Sequence, residues 1–258
     1  MSSKLLLVSA ALLSALSAQA TVSVTSSAFT YSQSFDSLAT TGNTNAWAND
    51  TTLAGWSLFN GNTALTSYRA GTGSDNAGAV YSFGAAASSD RALGSIASGT
   101  VANPTLVAAF TNTSGQALNS FTLRYDGEQW RNGGNASQAT QKLTVQYGFG
   151  SSFASVVWAN AGTGFDVISP VTAATGGAVV GNTAGLVAGL GGTVATNWAA
   201  GSTLWVRWND VNDANNDHGL AIDNFKLSVT AAVPEPETYA LLLAGLGLVS
   251  VAARRRRG

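Results

Sequence analysis

The chain has 258 residues, with 12 Lys and Arg against 13 Asp and Glu, one His and no Cys, and only 10% of it is charged. The absence of cysteine excludes a disulfide framework, cysteine-ligated metal and a cysteine nucleophile. Between residues 21 and 233 seven bases stand against eleven acids, a balance of about minus four that excludes nucleic-acid binding through a basic patch.

Residues 1–20 begin with one base, Lys4, continue through an apolar run over 5–16 and end on Ser17, Ala18, Gln19 and Ala20. These are the three parts of a secretory signal peptide, with cleavage expected after Ala20. The apolar run is shorter than the roughly 18 to 20 residues a spanning helix needs, so a removable signal is favoured over an anchor.

The next segment, 21–232, is rich in Gly, Ala, Ser, Thr and Asn, and its apolar residues alternate in short runs. Over 120–126, Phe121, Leu123 and Tyr125 alternate with Thr122, Arg124 and Asp126; over 141–147, Leu143, Val145 and Tyr147 alternate with Lys142, Thr144 and Gln146. A period of two with one apolar face predicts half-buried antiparallel strands. Further strands are expected at 22–25, 56–59, 80–83, 106–112, 156–159, 204–208 and 220–229. In the last of these the apolar parity switches between Ile222 and Phe225, which predicts a bulge or bend at Asp223 and Asn224. The uncharged stretch 167–206 reads either as a long irregular crossing or as weak strands. The fold class predicted is all-β, an antiparallel, jelly-roll-like β-sandwich ectodomain between an N-terminal signal helix and a short C-terminal transmembrane helix.

Five oxygen-bearing residues, Asp210, Asn212, Asp213, Asn215 and Asp217, alternate in one segment, which suits a Ca²⁺ ion. The spacing is not that of an EF-hand, and a polar turn is the competing reading. Arg91, Glu128, Arg131 and Arg207 are expected to form internal ion pairs that pin loops to the sandwich. Asp223 lies inside an apolar strand and needs a partner: an arginine, a backbone N–H or a cation. His218, the only histidine, has neither a second zinc ligand nor a nucleophile motif beside it and is expected to pack in a turn.

Seven tryptophans could include a sugar-stacking platform. Trp208 shares the parity of Leu204 and Val206 and belongs to the core. Trp205 shares its face with Arg207 and is expected at the surface, so Trp205 and Trp130 are the candidate glycan contacts. No clustered alternating acids mark a glycosidase, so the sequence predicts a domain that is not an enzyme. The alternatives are an extracellular glycan hydrolase, with Glu128 and a second carboxylate as the acid pair, or an ice-binding surface.

The last segment, 233–258, opens on Val233, Pro234, Glu235 and Pro236, runs through an uncharged stretch over 239–253 and ends with Arg254, Arg255, Arg256 and Arg257. At about 1.5 Å per residue the apolar stretch reaches about 22 Å, less than the roughly 30 Å of a hydrocarbon core, which predicts a transient anchor with its arginines in the cytoplasm. The order of these three parts resembles the PEP-CTERM sorting signal of Gram-negative bacteria. That resemblance implies export, transient inner-membrane anchoring, removal of the tail by an exosortase-like membrane protease, and a cell-surface or extracellular fate alongside exopolysaccharide and biofilm material. Within the ectodomain, residues 89–95, 125–131 and 205–210 running into 217–225 together resemble an extracellular bacterial β-domain of concanavalin-like or MAM-like style, which implies a fold and a compartment and no activity.

Overall fold

The structure is a computed structural model that describes residues 21–231 and 243–246. The predicted signal peptide and nearly all of the predicted membrane helix therefore lie outside the described residues; 243–246 are helical, and no described helix is long and apolar enough to cross a membrane.

In chain order the strands are β1 (Val22–Val24), β2 (Thr30–Gln33), β3 (Asn45–Ala46), β4 (Trp56–Asn60), β5 (Thr63–Ala64), β6 (Ser67–Gly71), β7 (Ala79–Phe83), β8 (Ala92–Ile96) and β9 (Pro104–Asn112). They continue as β10 (Leu118–Asn132), β11 (Lys142–Phe149), β12 (Ala159–Asn160), β13 (Val167–Ile168), β14 (Gly177–Ala178), β15 (Leu186–Trp198), β16 (Thr203–Asn209) and β17 (Gly219–Ala231). One sheet runs β12-β11-β16-β9-β4-β5, with β1 taking over from β4 along the end of β9. The other runs β14-β10-β17-β8-β7-β6-β3, with β15 also on β10 and β2 on β17. Pairing is antiparallel except between β1 and β9 and between β6 and β7.

Two-residue alternation assigns the faces. From the first sheet Trp56, Leu58, Leu106, Ala108, Phe110, Leu204, Val206 and Trp208 point into the sandwich, and from the second Phe121, Leu123, Tyr125, Leu220, Ile222 and Phe225 meet them. The centre is aromatic: Trp56 stacks on Trp208 at 5.6 Å, and Phe225 meets both edge-on at 5.2 and 5.5 Å. Burying side chains of this size supplies roughly 1.5–3 kcal/mol each before the entropy of ordering is counted.

The predicted bulge is present. Arg124 pairs with Lys226 but Asp126 pairs with Asp223, so β17 carries one extra residue there, and Asn224 takes a left-handed φ of 52°. Asn tolerates that conformation better than most residues, and the extra residue returns Phe225, Leu227 and Val229 to the core face that Leu220 and Ile222 occupy.

One strand expectation is corrected and one open alternative is decided. The 156–159 strand survives only as Ala159, the first residue of β12, because residues 150–158 instead turn back over the first sheet. That turn is a 3-10 turn at Phe153–Ser155, closed by the Ser152 N–H donating to Ser155 Oγ at 3.0 Å. The stretch 167–206 contains both of the structures left open: short β13 and β14 in an irregular crossing, then the thirteen-residue β15.

These crossings give each sheet a second, outer cluster. On the first sheet Phe59, Val107, Ala109 and Trp205 are covered by Phe153 and Val156, with Phe153 stacked on Phe59 at 4.0 Å. On the second, Tyr81, Phe83, Ala92, Ile96, Ala221 and Trp130 pack together, and Gly181 passes so close that a Cβ there would lie 2.3 Å from the Trp130 indole.

Candidate functional site

β8, β10 and β16 end, and β17 begins, at the same edge of the sandwich, so the loops that follow or precede them meet there. They enclose a cavity of about 280 Å³, lined by Asn212, Asn215, Asn216 and Asp217 of the β16–β17 loop, Arg131 of β10, and Asn76 and Ser98. A second depression of about 410 Å³ lies across the same loop, with Lys142, Thr144, Val211 and Asp213 on its wall.

The framework of the cavity is held by hydrogen bonds of His218 and Arg131 to the backbone and to Gln141. His218 Nδ1 accepts the Gly133 N–H at 2.9 Å, Nε2 lies 3.3 Å from Ala139 O, and the His218 N–H donates to Gln141 Oε1 at 2.5 Å. An Nδ1 that accepts requires the neutral tautomer with the proton on Nε2, and burial, the largest influence, pulls the pKa of this ring below its ordinary value. Arg131 Nη1 donates to Gly73 O at 3.0 Å and Ser74 O at 3.1 Å, which ties the 73–76 turn to the cavity wall. That turn packs against the β10 backbone so closely that Gly73, at φ 82°, leaves no room for a Cβ.

Inside the cavity the Asn76, Asn212 and Asn215 side-chain amides make no hydrogen bond within the described residues, whereas Asn216 Nδ2 donates to Gly134 O at 3.3 Å. Asp217 is buried; its Oδ1 accepts the Asp213 N–H at 2.8 Å, and burial pushes its carboxyl up to about 6. The lining offers amide and guanidinium donors with amide and carboxylate acceptors, the set that hydroxyl groups satisfy.

The five residues offered for Ca²⁺ are split, with Asp210 and Asp217 buried and Asn212, Asp213 and Asn215 exposed. Asp210 turns inward and accepts the Ser95 hydroxyl at 2.7 Å, Asp217 is committed to the backbone, and among the described residues no three His, Asp or Glu side chains converge to hold a metal ion.

The ion-pair expectation is also corrected. Among the described residues the ion pairs are Arg69–Asp75 and Lys142–Asp166. Arg91 is buried with Nε on Ser82 Oγ at 2.9 Å and Nη2 on the Ser82 carbonyl, while its backbone N–H donates to Asp36 Oδ1. Arg207 is bound to the Gln146 amide oxygen, and Glu128 Oε2 accepts the Trp130 indole N–H at 2.7 Å. These side chains do tie elements together, but through uncharged partners, because strand register puts hydroxyls, carbonyls and amides within their reach. Asp223 found the backbone partner foreseen for it, the Asn224 N–H at 2.6 Å.

Glu128 and Asp223, each 3% exposed, lie on the outer face of the second sheet. Burial pushes Glu128 up to about 7, with Asp90 and Asp126 adding to it, and pushes Asp223 up to about 8, with Glu128, Asp90 and Asp36 adding to it. The crossing segment closes over this region, with Asn182 Nδ2 donating to Asp90 Oδ2. Neither carboxylate lines the end cavity.

Trp205 and Trp130 are corrected as well, at 1% and 3% exposed. Parity placed Trp205 on an outer face correctly, but the outer face at each tryptophan is roofed by an irregular segment, and Trp205 Nε1 is bonded to Gly150 O of its roof at 2.9 Å. Trp158, which sequence parity never singled out, is the one tryptophan that is not buried. It belongs to a roof segment with no alternation, so the sequence carries no signal for it, and the same holds for the cavity residues Asn76 and Ser98.

Residues 232–257 match the family model described as the PEP-CTERM protein-sorting motif. No curated protein matches the chain. Among solved structures, the CBM22-1 xylan-binding domain of Paenibacillus barcinonensis Xyn10C aligns over 81% of this chain and 99% of its own, at 12% identity and a TM-score of 0.37. The CBM22-1-CBM22-2 tandem of the same protein aligns over 83% of this chain and 48% of its own, at 14% identity and a TM-score of 0.39. An Arthrobacter globiformis T6 isomalto-dextranase complexed with panose aligns over 78% and 33%, at 15% and 0.31. At these scores the overlaps assign this chain no ligand, and none of them supports the concanavalin- or MAM-like style that its three sequence blocks resemble. What the comparisons do give is the tail: the chain ends in a segment that matches the PEP-CTERM sorting motif, as the order of Pro234, Glu235, Pro236, apolar stretch and arginines led one to expect.

Proposed function

We propose that the ectodomain is a non-catalytic glycan-binding module, exported, held briefly at the inner membrane by its sorting tail, and freed by an exosortase-like protease near Pro234, Glu235 and Pro236. It then works at the cell surface or in the extracellular matrix, on exopolysaccharide. The observation that carries the glycan part is the end cavity. Three uncommitted asparagine amides, a guanidinium and a buried carboxylate surround about 280 Å³ with no nucleophile and base in hydrogen-bonding contact. Arg131 and Asp217 are held by their backbone contacts, and the unbonded amides are left with their donors and acceptors open to hydroxyl groups.

The test is a glycan-array screen of the exported protein, followed by calorimetry with the best ligand. Asn212→Ala and Asn76→Ala should each weaken binding several-fold while the melting temperature stays put, since neither side chain bonds to the protein. Absence of binding across a broad panel would leave a structural role alone. A hydrolase is the second reading, favoured by the two buried carboxyls Glu128 and Asp223, both raised by burial. Release of reducing ends that disappears in Glu128→Gln would establish it in place of binding.

A further inference from the structure

Away from the end cavity, the outer face of the first sheet carries a second built array. The roof segment fixes Trp158 against Phe153, their rings 5.5 Å apart, and Arg207 of β16 lies with its guanidinium carbon 4.2 Å from the Trp158 ring centroid. Gln146 of β11 accepts with one oxygen from both Arg207 Nε at 2.8 Å and Nη2 at 2.5 Å. The Gln146 amide is itself oriented, its Nε2 donating to Asn160 Oδ1 of β12 at 2.9 Å. Indole, amide and sheet together hold the guanidinium in one plane. Its Nε/Nη2 edge is occupied, and the Nη1/Nη2 edge makes no hydrogen bond among the described residues.

The charge on this group is uncompensated. Arg207 is in neither ion pair of the described residues, and no acid contributes to its electrostatics; burial alone acts on it, in the direction that disfavours the cation. The indole face and the amide orient the guanidinium and offset part of the cost of its partial burial, but neither brings the opposite charge that an arriving anion would supply. A carboxylate fits the free edge end-on with two parallel N–H···O bonds. A sugar ring bearing that carboxylate would sit over the adjoining indole edge, beside the exposed Asn160 amide and Val157, which is 86% exposed.

We infer that Arg207, oriented by Gln146 and Trp158, forms a subsite for uronate units of an acidic polysaccharide, separate from the end cavity. The inference rests on the glycan-binding reading for the class of polymer, and on the Arg207 array alone for its charge preference.

The experiment is calorimetric titration of the exported protein with oligogalacturonate and with the same oligomer fully methyl-esterified, which keeps the ring and removes the charge. Oligogalacturonate should bind more tightly than the ester, with an advantage that shrinks as ionic strength rises. Arg207→Gln should weaken oligogalacturonate about tenfold or more, and Arg207→Lys should fall between, because it keeps the charge and loses the fork. Melting curves of both variants report whether the roof stays folded, and the lysine variant tests the point if the glutamine variant does not fold. Equal affinity for acid and ester, or oligogalacturonate binding untouched by both substitutions, overturns the inference. Neutral glycans that still bind Arg207→Gln would leave the cavity reading standing in that event, whereas failure of every glycan removes both.

Discussion

Asp210 shows how a single residue can be legible in type and misread in role. The sequence offered it as a metal ligand; the fold buries its carboxyl against Ser95 and beside Asp217 and Asp213, and burial above all pushes it up to about 8. Glu128 at about 7 and Asp223 at about 8 are displaced in the same direction. A carboxyl raised above its unfolded value of roughly 4 makes the folded state hold the extra proton between about pH 4 and about pH 8. Stability from these groups is therefore present at the acid end of that window and lost as pH rises through it. His218 opposes them, since its lowered pKa withdraws stability as pH falls below roughly 6.5. Asp217 at about 6 and Asp213, also raised by burial, act in the same sense as the three, so with five acids against one histidine the melting temperature should fall from pH 6 to pH 9. Asp210→Asn keeps an acceptor for Ser95 and removes the charge, so it should flatten that fall and raise the melting temperature at pH 9 by about 2–4 °C for each 1 kcal/mol recovered. Parallel pH profiles for parent and variant in differential scanning fluorimetry would rule this out.

At the scale of elements, the outer faces of the sheets depend on segments that are not themselves regular strands. The 150–158 turn roofs Trp205, and the 179–185 crossing roofs Trp130. Trp205→Ala should cost about 3–5 kcal/mol, the price of a large aromatic removed from packed surroundings; a loss within 0.5 kcal/mol in urea unfolding would return Trp205 to the surface. Gly181→Ala should lift the crossing away from the Trp130 ring, because the added methyl has only rigid indole to displace. Its signature is a red-shifted tryptophan emission with greater acrylamide quenching at little change in secondary structure. The bulge at Asp223 and Asn224 belongs to this scale too, and it was readable because a parity switch in a strand with one buried face has no other remedy than an extra residue.

For the whole molecule, the sandwich and the tail are separate instructions. Described residues 21–231 form the sandwich and its core, and the segment 232–257 matches a sorting motif. The expected outcome in cells that contain an exosortase is a mature protein lacking its signal peptide and everything after the Pro-Glu-Pro region. Intact-mass spectrometry measures this directly, and recovery of Arg254 through Arg257 on the released protein would reject processing. A variant with Pro234 and Pro236 replaced by Ala should accumulate unprocessed in the membrane fraction.

Chemistry that is local in the chain was determined by the sequence alone. The sorting motif is read in linear order, so Pro234, Glu235, Pro236 and the arginines could be recognised without a fold. Alternation over 120–126, 141–147, 204–208 and 220–229 fixed strand identity and which side of each strand faces which way, because a pleated strand offers side chains only two directions. Tertiary structure decided what lies on the far side of each face. That Trp205 and Trp130 are roofed while Trp158 is not, that Asp210 faces Ser95 from 115 positions away, and that Arg207 meets Gln146 and Trp158 rather than an acid, all depend on irregular segments and on register between distant strands. Such segments carry no periodicity, and contacts between residues far apart in the chain leave no trace in the composition of either one.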